Sequence, residues 1–281
     1  MLRKWLVVLL VLCSTAHADA KIRVYLGIGQ SNMEGATGPE AVDSIGISDR
    51  LWHIPACQFD GKDRVRGQFR KAVPPLHHGL CPLDYFGRDI AEEFPNDTIV
   101  LINVSVGGTK IQLFDKDSCD AYAHLESQPD WFKGFLREYD FQPRERLLEA
   151  ARSAMKQGGE ICGILLHQGE SNTGDRRWPM MVKKVYTDLL KDLRLKEKDV
   201  PLIAGEVVSE EDGGASGAGM NPIIRTLPEV IKNCAVVSSL GLPVYTGDHM
   251  NVHFQPVGMR TFGMRYAKAY LDLIAKNKKN K

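Results

Sequence analysis

Residues 22–35, IRVYLGIGQSNMEG, give the clearest indication of the fold of this chain. The first eight residues of the stretch are nearly continuously apolar, which is typical of a parallel strand covered on both faces. Gly29 and Gly35 frame the polar segment that follows, and Ser31 stands just past the predicted strand end. Ligand sites of open α/β sheets form at the carboxyl ends of their strands. The stretch therefore predicts a parallel sheet whose functional edge carries Ser31.

The remainder of the chain repeats this alternation of strand and helix. Four more apolar runs occupy residues 98–104, 161–167, 201–208 and 235–239. Helical periodicity predicts helices at residues 85–94, 144–157, 180–193, 222–232 and 257–274. This pattern predicts a three-layer α/β/α sandwich with a central five-stranded parallel sheet. Because we find neither a repeat nor a low-complexity linker, we expect one domain over residues 21–281.

The first 20 residues predict a secretory signal peptide. A basic start is followed by the apolar run WLVVLLVL at residues 5–12, which is too short to span a bilayer. Two A-x-A cleavage sites follow, at residues 16–18 and 18–20. We therefore expect an exported protein, secreted or periplasmic, without membrane contact after cleavage. With a net charge of +1, the sequence lacks the excess of basic residues that is typical of nucleic-acid-binding proteins.

The sequence alone does not decide whether the cysteines form a disulfide. Five of the six follow the leader, and an odd number cannot pair completely within one chain. Cys57 and Cys81 bracket part of an irregular stretch, residues 36–82, and are either a disulfide of an oxidising compartment or two thiols. That stretch and the glycine-rich residues 209–221 are typical of functional loops.

Polar or glycine-rich segments follow the predicted strands, where the site is expected. Ser31 can present its hydroxyl at the sheet edge, and its backbone N–H, near a helix start, can help to hold an oxyanion. Gly108, in VGGTKI, lets the backbone approach a ligand and frees an N–H. Gln168 and Glu170, in HQGESN, place polar groups at another strand end. Taken singly, each segment is also explained by a helix cap or a tight turn.

A histidine segment, GDHMNVHF at residues 247–254, precedes the last predicted helix. His253 in this position can reach a nucleophile at the end of the first strand. His249 and His253 are spaced i, i+4 with an acid nearby, which also permits a metal site. That spacing needs a helix, however, and Gly247 and Pro256 disfavour one here. We expect no metal.

Four segments together resemble one family, the SGNH-type carbohydrate acetylesterases. More narrowly, they are similar to the acetylxylan esterases of carbohydrate esterase family 6 and to the sialate O-acetylesterases. The resemblance runs from about residue 22 to residue 270 and implies an ester hydrolase without a cofactor. Its expected substrate is acetylated xylan or a related plant polysaccharide. The segments that carry it are GQSNMEG, VGGTKIQLFD, LLHQGESN and NVHFQPVGMRTFGMRYA.

The resemblance also implies roles for individual residues. Ser31 matches the nucleophile and His253 the base. The oxyanion hole would consist of the Ser31 N–H, the Gly108 N–H and the Gln168 side chain.

One departure from the family pattern concerns the acid that orients the histidine. The usual D-x-x-H motif has its acid three residues before the histidine, and Met250 occupies that position here. Glu170 is the preferred candidate for the acid, and Asp248 is the alternative. A Ser–His dyad without an acid is the third possibility.

The sequence is also compatible with other functions. Within the esterases, the alternatives are a sialate O-acetylesterase and a GDSL-type lipase or thioesterase. An alternative of another class is a non-catalytic carbohydrate-binding protein on a decayed esterase fold. Several aromatic residues near the loops fit either a sugar platform or a core, and we expect the core for each. These residues are Phe114, Trp131, Phe132, Trp178 and Phe254.

Overall fold

A single seven-stranded sheet runs through the computed structural model, which describes residues 20–58, 64–214, 217–247 and 251–279. The strands lie in the order β3-β2-β4-β1-β5-β6-β7. Their bounds are β1 (Ile22–Gly29), β2 (Leu51–His53), β3 (Arg70–Lys71), β4 (Thr98–Ser105), β5 (Gly159–His167), β6 (Leu202–Gly205) and β7 (Cys234–Val237).

The sheet corrects the prediction of five parallel strands. The five predicted strands form its parallel centre and one side, but β2 and β3 extend it on the other side. β3 pairs with β2 in antiparallel orientation, so the sheet is mixed. Both added strands lie in the stretch 36–82 and have only three and two residues. Strands this short are too brief to show an alternating pattern in the sequence.

Helices cover both faces of this sheet. The described helices are α1 (Ser31–Glu34), α2 (Pro82–Glu93), α3 (Cys119–Ala123), α4 (Asp130–Arg137), α5 (Pro143–Lys156), α6 (Trp178–Asp192), α7 (Asn221–Ile224), α8 (Leu227–Val230) and α9 (Pro256–Lys279). The helix predicted at 222–232 is thus two short helices. Pro228 explains the break, because it has no N–H to donate to the Ile224 carbonyl and its ring crowds that turn.

Two apolar cores lie on opposite faces of the sheet. On one face, alternate residues of β1, such as Val24 and Leu26, pack with α5 and α6. On the other face, Tyr25 packs with α2 and α9 through Phe86 and Tyr270. This arrangement gives the three layers expected of an SGNH-like hydrolase.

The register of the central strands assembles the site. Gly29 at the end of β1 pairs with Ser105 at the end of β4 and with His167 at the end of β5. The segments after these three strands therefore begin side by side. The chain leaves β1 toward one side of the sheet and later continues on the other, which makes this edge a topological switch point.

Cys57 and Cys81 are two thiols and not a disulfide, since all five described cysteines are free. Cys57 Sγ lies 3.5 Å from His77 Nε2, and Cys81 Sγ accepts a hydrogen bond from Asn103 Nδ2 at 3.6 Å.

The predicted signal peptide falls, except for Ala20, outside the described residues. Within the described ranges, the helices lack the combination of length and apolarity needed to cross a membrane.

Candidate active site

Ser31 and His253 meet at the carboxyl edge of the sheet although 222 positions separate them. Ser31 is the first residue of α1, directly beyond β1. The Nε2 atom of His253 lies 3.0 Å from Ser31 Oγ. This separation is within the range needed for a base to take a proton from a nucleophile.

Asn32 holds the backbone on both sides of His253. Its Nδ2 donates to the Val252 carbonyl at 2.8 Å, and its Oδ1 accepts from the Phe254 N–H at 3.3 Å. The residue after the serine is therefore clamped to the two neighbours of the histidine. Sequence reasoning missed this role, although Asn32 belongs to the GQSNMEG segment.

The turn after β4 presents a backbone donor beside the serine. Gly108 has φ +71°, a conformation that favours glycine, and a Cβ there would lie 2.6 Å from Trp131 Cη2. Its carbonyl accepts a hydrogen bond from Ser171 Oγ at 2.8 Å, which holds the turn. In the part of the chain that the structure describes, the N–H groups of Ser31 and Gly108 donate to no protein acceptor. Both line the same pocket.

Gln168 lies beneath this turn and is fully buried. Its Nε2 donates to Asn172 Oδ1 at 2.8 Å and lies 3.2 Å from both the Thr109 carbonyl and Gln30 Oε1. Its Oε1 accepts from Trp178 Nε1 at 2.5 Å. The side chain thus ties the turns after β1, β4 and β5 together. Its predicted role as a direct oxyanion donor stays a prediction.

Glu170 contacts Asn32 rather than His253. Its Oε1 accepts from Asn32 Nδ2 at 3.2 Å and lies 4.0 Å from His167 Nδ1. Among the contacts of the described residues, no ion pair joins Glu170 to His253 within 4.0 Å. The alternative acid, Asp248, lies outside the described residues.

The surroundings of Glu170 raise the pKa of its carboxyl group toward neutral pH. Burial raises the pKa of Glu170 to about 7, although the Asn32 hydrogen bond and the charge of His253 act in the opposite direction. His167 cannot neutralise the carboxylate, because burial lowers the pKa of that imidazole to about 4. Ionisation of Glu170 near neutrality therefore adds a negative charge to the buried network behind the Ser–His pair.

A pocket of about 620 Å³ opens around Ser31 and His253. Trp131 lines it with 57% of its surface exposed, so the expectation that it belongs to the core is wrong. α4 turns Phe132 inward and leaves Trp131 outward. The core expectation is confirmed for the other four aromatic residues, Phe114, Phe132, Trp178 and Phe254.

One polar cluster beside the pocket has ligand atoms of the kind that bind metals. Glu34, His77 and His78 place such atoms within 4.8 Å of one another. The Nε2 atoms of both histidines already make contacts inside the protein. His77 Nε2 lies 2.6 Å from the Tyr139 hydroxyl, and His78 Nε2 lies 2.9 Å from Glu138 Oε2. These hydrogen bonds favour a polar wall of the pocket over a metal centre.

The SGNH-like sheet and the serine–histidine pair define a carboxylic ester hydrolase. The chain belongs to the carbohydrate esterase family described as sialic acid-specific acetylesterase, whose sequence model matches residues 21–272.

Several known proteins have a similar sequence or fold. A probable carbohydrate esterase of Arabidopsis thaliana is 24% identical over 268 residues, which is 89% of this chain and 90% of that protein. The solved structure of this same Arabidopsis thaliana protein aligns with a TM-score of 0.66 at 21% identity, covering 89% of this chain and 98% of the other. The structure of NanS aligns with a TM-score of 0.64 at 15% identity, covering 92% and 99%. A carbohydrate acetylesterase from Xanthomonas citri has a TM-score of 0.61 at 14% identity, covering 90% and 57%.

Proposed function

We propose that this protein is a serine esterase that removes O-acetyl groups from a carbohydrate, with acetylated xylan or a related plant polysaccharide as substrate. The observation that carries the proposal is the 3.0 Å separation between Ser31 Oγ and His253 Nε2. The resemblance to the acetylxylan branch and the similarity to a plant carbohydrate esterase support the choice of substrate. Export by the N-terminal leader belongs to the same proposal.

In the proposed reaction, Ser31 Oγ attacks the acetyl carbonyl while His253 Nε2 takes its proton. The histidine returns that proton to the sugar oxygen as the C–O bond breaks, and an acetyl-enzyme remains. Water, activated by the same histidine, then releases acetate and restores the serine. The N–H groups of Ser31 and Gly108 bind the developing oxyanion. Gln168 either joins them as a third donor or holds the turns that position them.

For the acid, we propose that Glu170 acts through Asn32. Asn32 links the Glu170 carboxylate to the backbone on both sides of His253. The ionised carboxylate would then stabilise the imidazolium electrostatically and keep the histidine segment in place. Asp248 remains the alternative acid, since it lies five residues before His253 in the sequence.

Glu170→Gln is expected to lower kcat by about 10²-fold, because it removes the buried negative charge near His253. Glutamine can still accept the Asn32 hydrogen bond, so we expect the melting temperature to change little. Asn32→Ala and the double variant complete a cycle, in which the two losses should be strongly non-additive. Steady-state kinetics on one acetyl ester measure all three variants.

Asp248→Asn is the matched comparison for the acid assignment, with an expected loss of less than about tenfold. A large loss in Asp248→Asn, with Glu170→Gln near wild type, would make Asp248 the triad acid. Additive losses in the Asn32 and Glu170 cycle would show that Glu170 does not act through Asn32.

The acyl group is expected to be acetyl. An acetylesterase pocket needs room for one methyl group, and each misplaced methylene changes the transition-state energy by about 1–3 kcal/mol. We therefore expect kcat/KM to fall by at least about tenfold from an aryl acetate to the matching aryl butyrate. The same aryl leaving group serves as the internal control. Rates that stay equal or rise with acyl length would favour the lipase or thioesterase alternative.

The family description favours a second candidate, sialate O-acetylesterase activity. Acetate release from acetylated xylan and from O-acetyl sialic acid, measured side by side, separates the two substrates. The non-catalytic alternative predicts no acetate from either substrate and no labelling of Ser31 by a phosphonofluoridate.

A further inference from the structure

We propose that Trp131, Phe135, Glu34 and His78 form the subsite that binds the sugar ring of the substrate, and that this sugar is uncharged. The inference rests on the proposed acetylesterase function, because the sugar is the leaving group of that reaction. All four residues line the pocket that contains Ser31. A sugar bound to them therefore shares one cavity with the nucleophile.

Trp131 provides a rigid apolar surface at the rim of the pocket. Its six-membered ring lies against Gly108, whose N–H is the proposed oxyanion donor. Phe132 and Phe135 support the indole from the sides, with ring centroids 5.8 and 6.0 Å away at interplanar angles of 88° and 70°. An indole that is fixed by neighbours and yet 57% exposed is suited to stack on the C–H face of a sugar ring.

Glu34 and His78 provide polar partners for sugar hydroxyl groups. Burial raises the pKa of Glu34 to about 8, so its carboxyl group is mostly protonated at neutral pH and can donate a hydrogen bond. His78 Nε2 lies 4.0 Å from Glu34 Oε1 and 2.9 Å from Glu138 Oε2, which orients the imidazole. A hydroxyl group needs both donors and acceptors, and this part of the wall offers both.

The charges of the pocket favour a neutral sugar. Among the described residues, the lining of the pocket contains neither lysine nor arginine. The ionisable residues of this lining are Glu34, Glu170, His78 and His253. The carboxylate of a sialic acid would lose its hydration here without meeting the arginine that usually binds such a group. A xylose or mannose unit carries no such charge and meets no such penalty.

Kinetics of Trp131 variants test the subsite. Two substrates are compared: an acetylated xylo-oligosaccharide and ethyl acetate, which has no ring to stack. For Trp131→Ala, we expect the loss of kcat/KM on the oligosaccharide to exceed the loss on ethyl acetate by at least about tenfold, mainly through KM. Trp131→Phe should recover most of this difference. Met180→Ala, which alters another exposed apolar side chain, is the control and should change neither rate.

Equal losses on the two esters would mean that Trp131 only supports the Gly108 turn, and would overturn the subsite. The charge of the sugar is tested on the wild-type protein, where kcat/KM for the oligosaccharide should exceed that for O-acetyl sialic acid by at least about tenfold. Preference for O-acetyl sialic acid would overturn the neutral-sugar assignment. If the wild-type protein hydrolyses none of the three esters, the proposed function is refuted instead.

Discussion

Ser31→Ala is expected to lower kcat on an aryl acetate by at least about 1000-fold. The hydroxyl is the proposed nucleophile, and alanine at this position removes the oxygen that lies 3.0 Å from His253 Nε2. The fold should be unaffected, because the helix that begins at this residue is held by backbone hydrogen bonds from Met33 and Glu34 to the Gln30 carbonyl. Steady-state kinetics and thermal unfolding of the same preparation give both quantities.

Ser44→Ala is the matched control for this variant, since Ser44 is an exposed serine in a short 3₁₀ helix. Its rate should equal that of the wild type. If Ser31→Ala keeps more than about a thousandth of the activity with an unchanged melting temperature, the serine mechanism is refuted.

His253→Ala should have an effect of similar size, again at least about 1000-fold in kcat. Without the imidazole, the serine loses its proposed proton acceptor and the leaving sugar oxygen loses its proposed proton donor. Groups that act as one unit have non-additive effects. We therefore expect the Ser31→Ala, His253→Ala double variant to be hardly slower than either single variant.

His124→Ala is the histidine control, because that side chain is 55% exposed and pairs with Asp120 on the same helical turn. It should be as active as the wild type. Two independent, multiplicative losses in the double variant would show that Ser31 and His253 do not work in the same step.

The main elements of the fold could be predicted from the sequence because their signals are local. The long apolar runs predicted β1, β4 and β5 to within about two residues at each end. The periodic segments likewise predicted α5 and α6, whereas α2 begins three residues earlier than predicted and α9 ends five residues later. β2 and β3 could not be predicted, because strands of three and two residues owe their pairing to β4 and not to a pattern of their own.

The sequence also predicted which segments lie together at the candidate site. Residues that follow neighbouring parallel strands must meet at one edge, so Ser31, Gly108 and Glu170 could be placed together from their positions after the predicted strands. The histidine segment before the last helix was predicted to reach the same edge. The structure places His253 Nε2 3.0 Å from the serine hydroxyl.

The contacts of these side chains could not be predicted and follow from the packing of the folded chain. Glu170 was expected to orient His253, but its carboxylate lies against Asn32, whose Nδ2 also donates to the Val252 carbonyl. Trp131 was expected in the core, but the turn of α4 points Phe132 inward and leaves the indole on Gly108 at the pocket. Sequence periodicity specifies which face of a helix or strand is apolar. Side-chain contacts depend on distances between segments far apart in the chain, which only packing sets.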